Sequence, residues 1–450
     1  MSFETALRDA GIVDARTSAR GTFVWLPYGL ALLRQFTDEI RARFGECGFS
    51  EYLFPSMVAK SEFGKITSHI KNYEGAVFWV NESTLLKPSS EATVYPMLRL
   101  WLHSAGQLPW RGYQMSAMFR PGHRQGGIFR PTEVTPFIEA FTAHESREEA
   151  EEQFRANVAL IETLHDAVSV GYVKASRLTY ATSAVAERIT SFDVMLPLGK
   201  TVMTATAYAP MQIFSSAFDL AVATSAGRQR TYHTSLGFSS RMLLAALMCH
   251  ADEAGIVVPP AIAPTQVVVA TIHGSCDSAR LIEYGARVCT ELKEVGVRVL
   301  HDTSREHAGR KFYRYERMGV PIRCEIGRQE LDSGLVTVVL RAGGARESLR
   351  FEALSDRVGA VLSERAAALL EANLQRTAER TIHAPNPDGL RAAVEAGNVV
   401  SFPLCSASCA RRLPRMKSAE ILGSRFAPAT VRCAVCGGDT NFVAVITRRL

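Results

Sequence analysis

No run of the sequence reaches the roughly 18 apolar residues that a membrane-spanning helix needs. The opening stretch, MSFETALRDAG, has no apolar signal core. A soluble cytoplasmic protein is therefore expected. Cysteine is scarce and odd in number, nine in 450 residues, which argues for free thiols or metal ligands rather than a disulfide framework. Strong charge of either sign is also missing. The net charge of +6 allows a nucleic-acid partner without requiring one, because solubility alone explains it. What remains is ordinary for a globular protein, 47% apolar and 21% charged residues. The length exceeds what one hydrophobic core supports, so two or three domains are expected.

Along the chain, Gly21 to Leu30 reads as a strand-turn unit feeding a helix from Ala31 to Cys47, where Leu32, Phe36, Ile40 and Phe44 recur at helical spacing. Ser50 to Met57 reads as a short strand. Its Pro55 removes a ladder donor and places it at an edge or interface. In LLKPSSEATVYPMLRL, Lys87-Pro88 ends an extended segment, Ser89 and Ser90 are capping residues, and Glu91 falls early in the following helix. Capping accounts for these residues; a pocket in which Ser89 and Glu91 hold an ammonium group is the alternative.

Two β-rich runs, Tyr113 to Arg120 and Phe129 to Ala143, flank Pro121, Gly122, Gly126 and Gly127 and read as a long hairpin. Arg120 and Arg130 stand on either side of a tip that also holds His123 and Arg124, an arrangement suited to a polyphosphate. A basic surface hairpin is the plainer reading. The tip itself has no metal or nucleophile signature.

In order, GTFVWLPYGL, YLFPSM, KPSSEA, FR followed by RPTEVTPFIEAFTAH, and HTSLGFSSR resemble the catalytic core of the prolyl-tRNA synthetases shared by archaea and eukaryotes. The resemblance runs on through HADEAGIVVPPAIAPTQVVV, GRKFYRYERMGVPIRCEIG and the cysteine-bearing tail, nearly the whole chain. It implies an α+β class II synthetase core, an antiparallel sheet with helices, over residues 1–258. An α/β anticodon-binding-like domain at 265–372 and a C-terminal zinc-type domain at 380–450 would follow. It implies ATP-dependent activation of an amino acid to an aminoacyl adenylate, with transfer to tRNA.

By this resemblance Arg120 meets the ATP α-phosphate and the amino-acid carboxylate, and Arg241 the γ-phosphate, with Mg²⁺ bridging the phosphates. Arg130, Thr132, Glu133, Thr206 and His233 complete the nucleotide contacts. Ser89, Glu91, Phe137, Glu139, Phe141, Met203 and Tyr208 surround the amino acid. The pattern departs from the family at several places. Phe141 and Tyr208 replace histidines, Met203 and His233 replace glutamines, Gly122 replaces a glutamate and Thr132 an arginine. TSAVAERITSFD at Thr182 to Asp193 lacks the family's phenylalanine-glycine-alanine turn, and Arg448-Arg449-Leu450 stands where the family ends in tyrosine. Loss of hydrogen-bonding residues shifts selectivity more than added bulk does. Two activities are thus in view: charging of a proline-type tRNA, or activation of another amino acid for a non-tRNA acceptor. A binding or regulatory module without catalysis is a third class.

Val257 to Pro264 reads as a proline-rich linker. Beyond it, strands at Gln266 to Ile272, Val297 to His301, Pro321 to Ile326 and Leu335 to Leu340 alternate with helices at Asp277 to Val295 and near Gly309 to Arg317. Arg323, Arg328 and Lys311 are candidate contacts to unpaired bases, or simply a solvated face. In the tail, Cys405 and Cys409 precede Cys433 and Cys436 by 23 intervening residues, two pairs that suit a closed tetrahedral zinc site. Cys47, Cys249, Cys276, Cys289 and Cys324 are isolated and read as structural thiols. Arg411, Arg412, Arg415, Lys417, Arg425, Arg432, Arg448 and Arg449 form a basic run able to touch phosphates. The family is dimeric around Pro55, so a homodimer is expected.

Overall fold

The structure is a computed structural model and describes residues 2–67, 77–121, 127–181, 183, 185–274, 278–341 and 344–450. Gly122, His123, Arg124, Gly126, Thr182, Cys276 and Asp277 lie outside the described residues.

Helix α1 (Pro27–Glu46) starts earlier than the periodicity suggests. Pro27 sits in its first turn, where a missing N–H costs nothing, and Leu32, Phe36, Ile40 and Phe44 form its buried stripe. Strand β1 (Ser50–Glu51) is an edge strand. The expected single strand from Ser50 to Met57 is in fact two: Ser50–Glu51 pairs in the large sheet, and Met57–Ala59 joins a separate three-stranded sheet with Phe78–Asn81 and Thr84–Leu86. Helix α2 (Glu91–Trp101) follows. Ser90 occupies its N-cap position but makes no capping bond; its hydroxyl instead accepts from Gln114 Nε2 at 2.5 Å.

The long hairpin consists of β2 (Trp110–Phe119) and β3 (Glu133–His144), paired antiparallel. Helix α3 (Arg147–Ala167) then packs on the sheet, and β4 (Val173–Ser176), β5 (Arg188–Leu196), β6 (Lys200–Met211) and β7 (Tyr232–Ser239) extend the same layer. Helix α4 (Arg241–His250) leaves β7 directly and is buried along its whole length.

A second unit begins with β8 (Val267–Thr271), whose five residues are all buried, as a doubly covered strand requires. Helix α5 (Ser278–Glu294), β9 (Val299–Asp302), α6 (Ala308–Met318), β10 (Ile322–Ile326), β11 (Leu335–Leu340) and β12 (Arg346–Arg350) follow. The sheet is mixed: β8 pairs in parallel with β9 and β10, whereas β10, β11 and β12 pair antiparallel. Arg341 ties this unit to the first through a bidentate bond to Asp252, both contacts at 2.7 Å.

Helix α7 (Leu354–Glu379) leads to β13 (Thr381–His383), β14 (Val399–Pro403), β15 (Ala419–Arg432) and β16 (Asp439–Arg448). These tail strands join the catalytic sheet rather than standing apart. One eleven-stranded sheet runs β13-β14-β16-β15-β4-β5-β6-β7-β3-β2-β1. At the junction Ser424 pairs with Ser176, and Gly423, in a left-handed conformation (φ 151°), lies against the Ser176 carbonyl where any Cβ would collide. Among the described residues no helix is long and apolar enough to cross a membrane.

Candidate active site and metal centre

A cavity of about 210 Å³ opens on one face of the catalytic sheet. Strands β2, β3, β6 and β7, with the start of α2 and of α4, bring to it Ser89, Glu91, Arg120, Phe137, Glu139, Phe141, Met203, Thr206, Tyr208 and Arg241. Ten residues distant in sequence thus meet because alternate side chains of neighbouring strands share one face.

The cations are fixed in different ways. Arg120 Nε donates to the Pro88 carbonyl at 2.9 Å, and its guanidinium lies 4.9 Å from the centre of the Phe137 ring. Position and plane are therefore set before any ligand arrives. Arg241 opens α4, and its Nη1 donates to the Met203 carbonyl at 3.1 Å. Its Nε is buried without a partner. Burial, with the like charges of Arg120, Arg130 and Arg449, lowers its pKa to about 10, while Asp193 opposes. It stays charged at neutral pH, and an unpartnered buried guanidinium donor is a strong site for an anion.

The acids face the same space. Glu91 Oε2 and Glu139 Oε2 are both buried without hydrogen-bond partners. Burial and the neighbouring Glu91 carboxylate raise Glu139 to about 7, against the opposing effects of Ser90, Arg120 and Lys87. Lys87 is itself fully buried, with Nζ near the Gln114 side-chain oxygen (3.3 Å) and the Phe54 carbonyl (3.4 Å). It supports Gln114, which supports Ser90, behind the carboxylate pair. Two carboxylate oxygens with no donor form a site for a cationic amine.

Four expected nucleotide residues do not line this cavity. His233 is fully buried, with one ring nitrogen 2.8 Å from the Thr231 hydroxyl and the other 3.0 Å from the Thr142 carbonyl. Burial lowers its pKa to about 3. A neutral, fully engaged imidazole behind the Tyr95 ring cannot reach a nucleotide, so His233 is corrected to a core residue. Thr132 is occupied in holding the Arg20–Gly21 turn: its N–H donates to the Gly21 carbonyl at 2.7 Å and its hydroxyl to the Arg20 carbonyl at 3.3 Å. Glu133 is exposed at the start of β3. Arg130 lines a neighbouring apolar cavity with Phe3, Phe129, Met248 and Leu450.

Arg177 and Asp193 lie behind the cavity lining, next to Met203, where the motifs do not point. Arg177 Nη1 lies 3.9 Å from the Met203 sulfur, bringing a further cation toward the cavity floor. Asp193 is fully buried in β5; its signal in the sequence is one acid inside the apolar run Phe192 to Leu196.

The four tail cysteines converge. Their sulfurs all lie within 4.8 Å of one another, with Cys405 3.5 Å from Cys409 and 3.6 Å from Cys436. A tetrahedral zinc–thiolate site has sulfur–sulfur edges of about 3.8 Å, so the set fits zinc. Ser406 caps a short helix by accepting from the Cys409 N–H at 3.2 Å. Across from it, the Cys433 N–H donates to the Gly438 carbonyl at 2.8 Å, and Gly437 adopts φ 76°, a conformation glycine tolerates best. Burial opposes ionisation of Cys433, but the backbone N–H groups of Val435 and Cys436 prevail and lower its pKa to about 6. Cys249, Cys289 and Cys324 are buried away from this cluster, and Cys47 is exposed.

In the second unit Arg323 stacks on Phe312 at 4.1 Å and pairs with Glu325 at 2.8 Å, and Arg328 is exposed. Lys311 departs from expectation. It is fully buried and donates to the Thr271 carbonyl at 2.9 Å, which removes it from any base-contacting surface.

Comparison with known proteins matches residues 78–250 to the tRNA synthetase class II core domain (G, H, P, S and T) and residues 266–360 to the anticodon binding domain. The proline–tRNA ligase of Methanopyrus kandleri is 32% identical over 459 residues, covering 99% of this chain and 95% of the relative. That of Pyrobaculum arsenaticum is 34% identical over 463 residues, covering 99% and 93%. Giardia lamblia prolyl-tRNA synthetase in complex with prolyl-adenylate superposes with a TM-score of 0.93 at 27% identity, covering 100% of this chain and 97% of the other. The Cryptosporidium parvum enzyme complexed with halofuginone and AMPPNP shares the fold, with a TM-score of 0.91 at 21% identity, covering 100% and 94%.

Proposed function

The chain belongs to the prolyl-tRNA synthetase family of class II ligases, and from that premise we propose that it activates proline with ATP and transfers it to tRNA. The observation that carries this reading is the meeting of two positioned guanidinium groups, Arg120 and Arg241, with two partnerless carboxylates, Glu91 and Glu139, in one cavity.

The amine of the amino acid sits between Glu91 and Glu139, beside Ser89, with Phe137 as an apolar wall and Phe141, Met203 and Tyr208 around the ring. Arg120 reaches the substrate carboxylate and the α-phosphate. A carboxylate oxygen attacks the α-phosphorus, the bond to the bridging oxygen breaks, and pyrophosphate leaves with the electron pair. Arg241 and Thr206 attend the departing phosphates. No side-chain nucleophile takes part: positioned substrates and fixed positive charge lower the barrier. Mg²⁺ bound with the ATP would supply further charge neutralisation. The terminal ribose hydroxyl of tRNA then attacks the carbonyl carbon of the adenylate, and AMP departs.

Arg130 and Glu133 belong to the rim of the nucleotide site in this reading, with Thr132 acting through the turn it holds. The four cysteines hold a structural zinc ion. Residues 265–372 read the anticodon, with Arg323 and Arg328 as contacts. Leu53 and Met57, 83% and 59% exposed, flank Pro55 and support a homodimer through that surface. We place the enzyme in the cytoplasm.

The test is amino-acid-dependent ATP–pyrophosphate exchange across a panel that includes proline, followed by charging of proline tRNA. Exchange with proline and charging are expected. Exchange with a different amino acid and no charging would overturn the reading in favour of a specialised activating enzyme. Sedimentation of a monomer at micromolar concentration would refute the dimer.

A further inference from the structure

Beyond β16 the chain runs back into the catalytic sheet. Arg449 bridges Thr201 of β6 through its backbone, and its guanidinium lies 2.8 Å from the Asp193 carboxylate of β5. The two side chains are only 8% and 0% exposed. A second contact, Arg449 Nη1 to Glu420 at 3.0 Å, turns the guanidinium fork so that Nη2 faces Asp193. This is not the solvated residue that a basic tail suggests.

Asp193 stands opposite Met203 in the β5–β6 pairing, and the Met203 carbonyl accepts from Arg241 Nη1. One strand pairing therefore separates the Arg449–Asp193 pair from the guanidinium assigned to the nucleotide phosphates. Asp193 is the acid acting on Arg241, among the like charges of Arg120, Arg130 and Arg449. A buried arginine and a nearby buried aspartate gain most by closing into a pair. Here they do not close: Arg449 Nη2 donates to Asp193 Oδ2 at 3.1 Å, while Asp193 Oδ1 and Arg241 Nε each lack a hydrogen-bond partner.

We propose that Arg449 is a positioning residue for the activation step: by holding Asp193 it keeps that carboxylate from neutralising Arg241, and so leaves the Arg241 guanidinium open to phosphate oxygens. This rests on the phosphate role given to Arg241 above. If Arg449 merely fastened the tail to the sheet, its loss would lower stability and affect all substrates alike. The positioning role instead makes a specific claim, that the harm done by losing Arg449 passes through the charge of Asp193.

The experiment measures pyrophosphate exchange and thermal unfolding in the full chain for R449A, R449K, D193N, the double variant R449A/D193N, and R241A. R449A should raise the KM for ATP by about tenfold or more while the KM for proline stays within about twofold. R449K should recover part of the loss. The double variant should return the KM for ATP toward that of the parent, because an amide cannot neutralise Arg241. An unchanged KM for ATP in R449A, or a double variant no better than R449A, overturns the proposal. Should R449A fail to fold, R449Q carries the same comparison. If R241A leaves the KM for ATP unchanged, the assignment of Arg241 to the phosphates fails instead, and the two failures are told apart.

Discussion

Glu91 and Glu139 line the same cavity, each with one buried oxygen that no donor satisfies, and the charge of Glu91 acts on Glu139. Burial and the Glu91 charge push the Glu139 carboxyl up from 4.5 to about 7. For a carboxyl raised on folding, the stability it contributes is fully present below about pH 4.5 and is lost as pH rises through about 7, on the order of 3 kcal/mol. Ligand-free protein should therefore lose stability between about pH 5 and 7.5, and Glu139→Gln should flatten that segment. Denaturant unfolding of both proteins across this range checks it.

The same substitution removes half of the proposed amine site. Glu139→Gln should raise the KM for proline by roughly 10- to 100-fold, the worth of a charge-assisted bond, with little change in the KM for ATP. Exchange kinetics at saturating ATP separate the two constants.

Arg120→Ala should be the costlier of the arginine changes, because in the proposed reading this guanidinium serves both carboxylate and α-phosphate. A fall of about 10²- to 10³-fold in the exchange rate is expected, the scale for a lost transition-state donor. Arg120→Lys should rescue little, since an ammonium cannot reproduce the fork that stacks on Phe137 and bonds the Pro88 carbonyl.

Metal analysis should find about one zinc per chain, and a strong chelator should lower the unfolding temperature. Cys433→Ser should do the same without chelator. Fully folded protein free of zinc would refute the metal assignment.

In the second unit, Arg328→Ala should raise the KM for tRNA severalfold and leave amino-acid activation intact, the pattern of a contact remote from the chemistry. Lys311→Met should instead act on stability, costing about 1–3 kcal/mol, because it strands the Thr271 and Asp302 acceptors. Comparing charging with exchange in the first variant, and unfolding midpoints in the second, distinguishes the roles.

The parts of this molecule that sequence discloses are those where one residue type is required at a fixed spacing. Arg120, Arg241 and the two cysteine pairs are of this kind, and so are the apolar stripe of α1 and the all-buried β8. What escapes is decided by partners far along the chain. Ser90 has the local signature of a helix cap, but Gln114 claims its hydroxyl. His233 looks available beside a motif, yet Thr231 and Thr142 consume both ring nitrogens. Lys311 lies on a helix whose Arg310 and Arg314 are exposed, and nothing local says that its own face turns inward. The pairing of Arg449 with Asp193 spans 256 positions, beyond any periodicity.

The pairing of Ser424 with Ser176 gives the cysteine-bearing tail a protective duty toward the rest of the chain. Strand β15 covers the flank of β4 that would otherwise offer unpaired N–H and C=O groups to other molecules. A chain shortened before residue 380 would keep every residue that lines the cavity and still be a poor protein, because bare strand flanks recruit one another. Its failure would appear as insoluble material before any defect in catalysis could be measured.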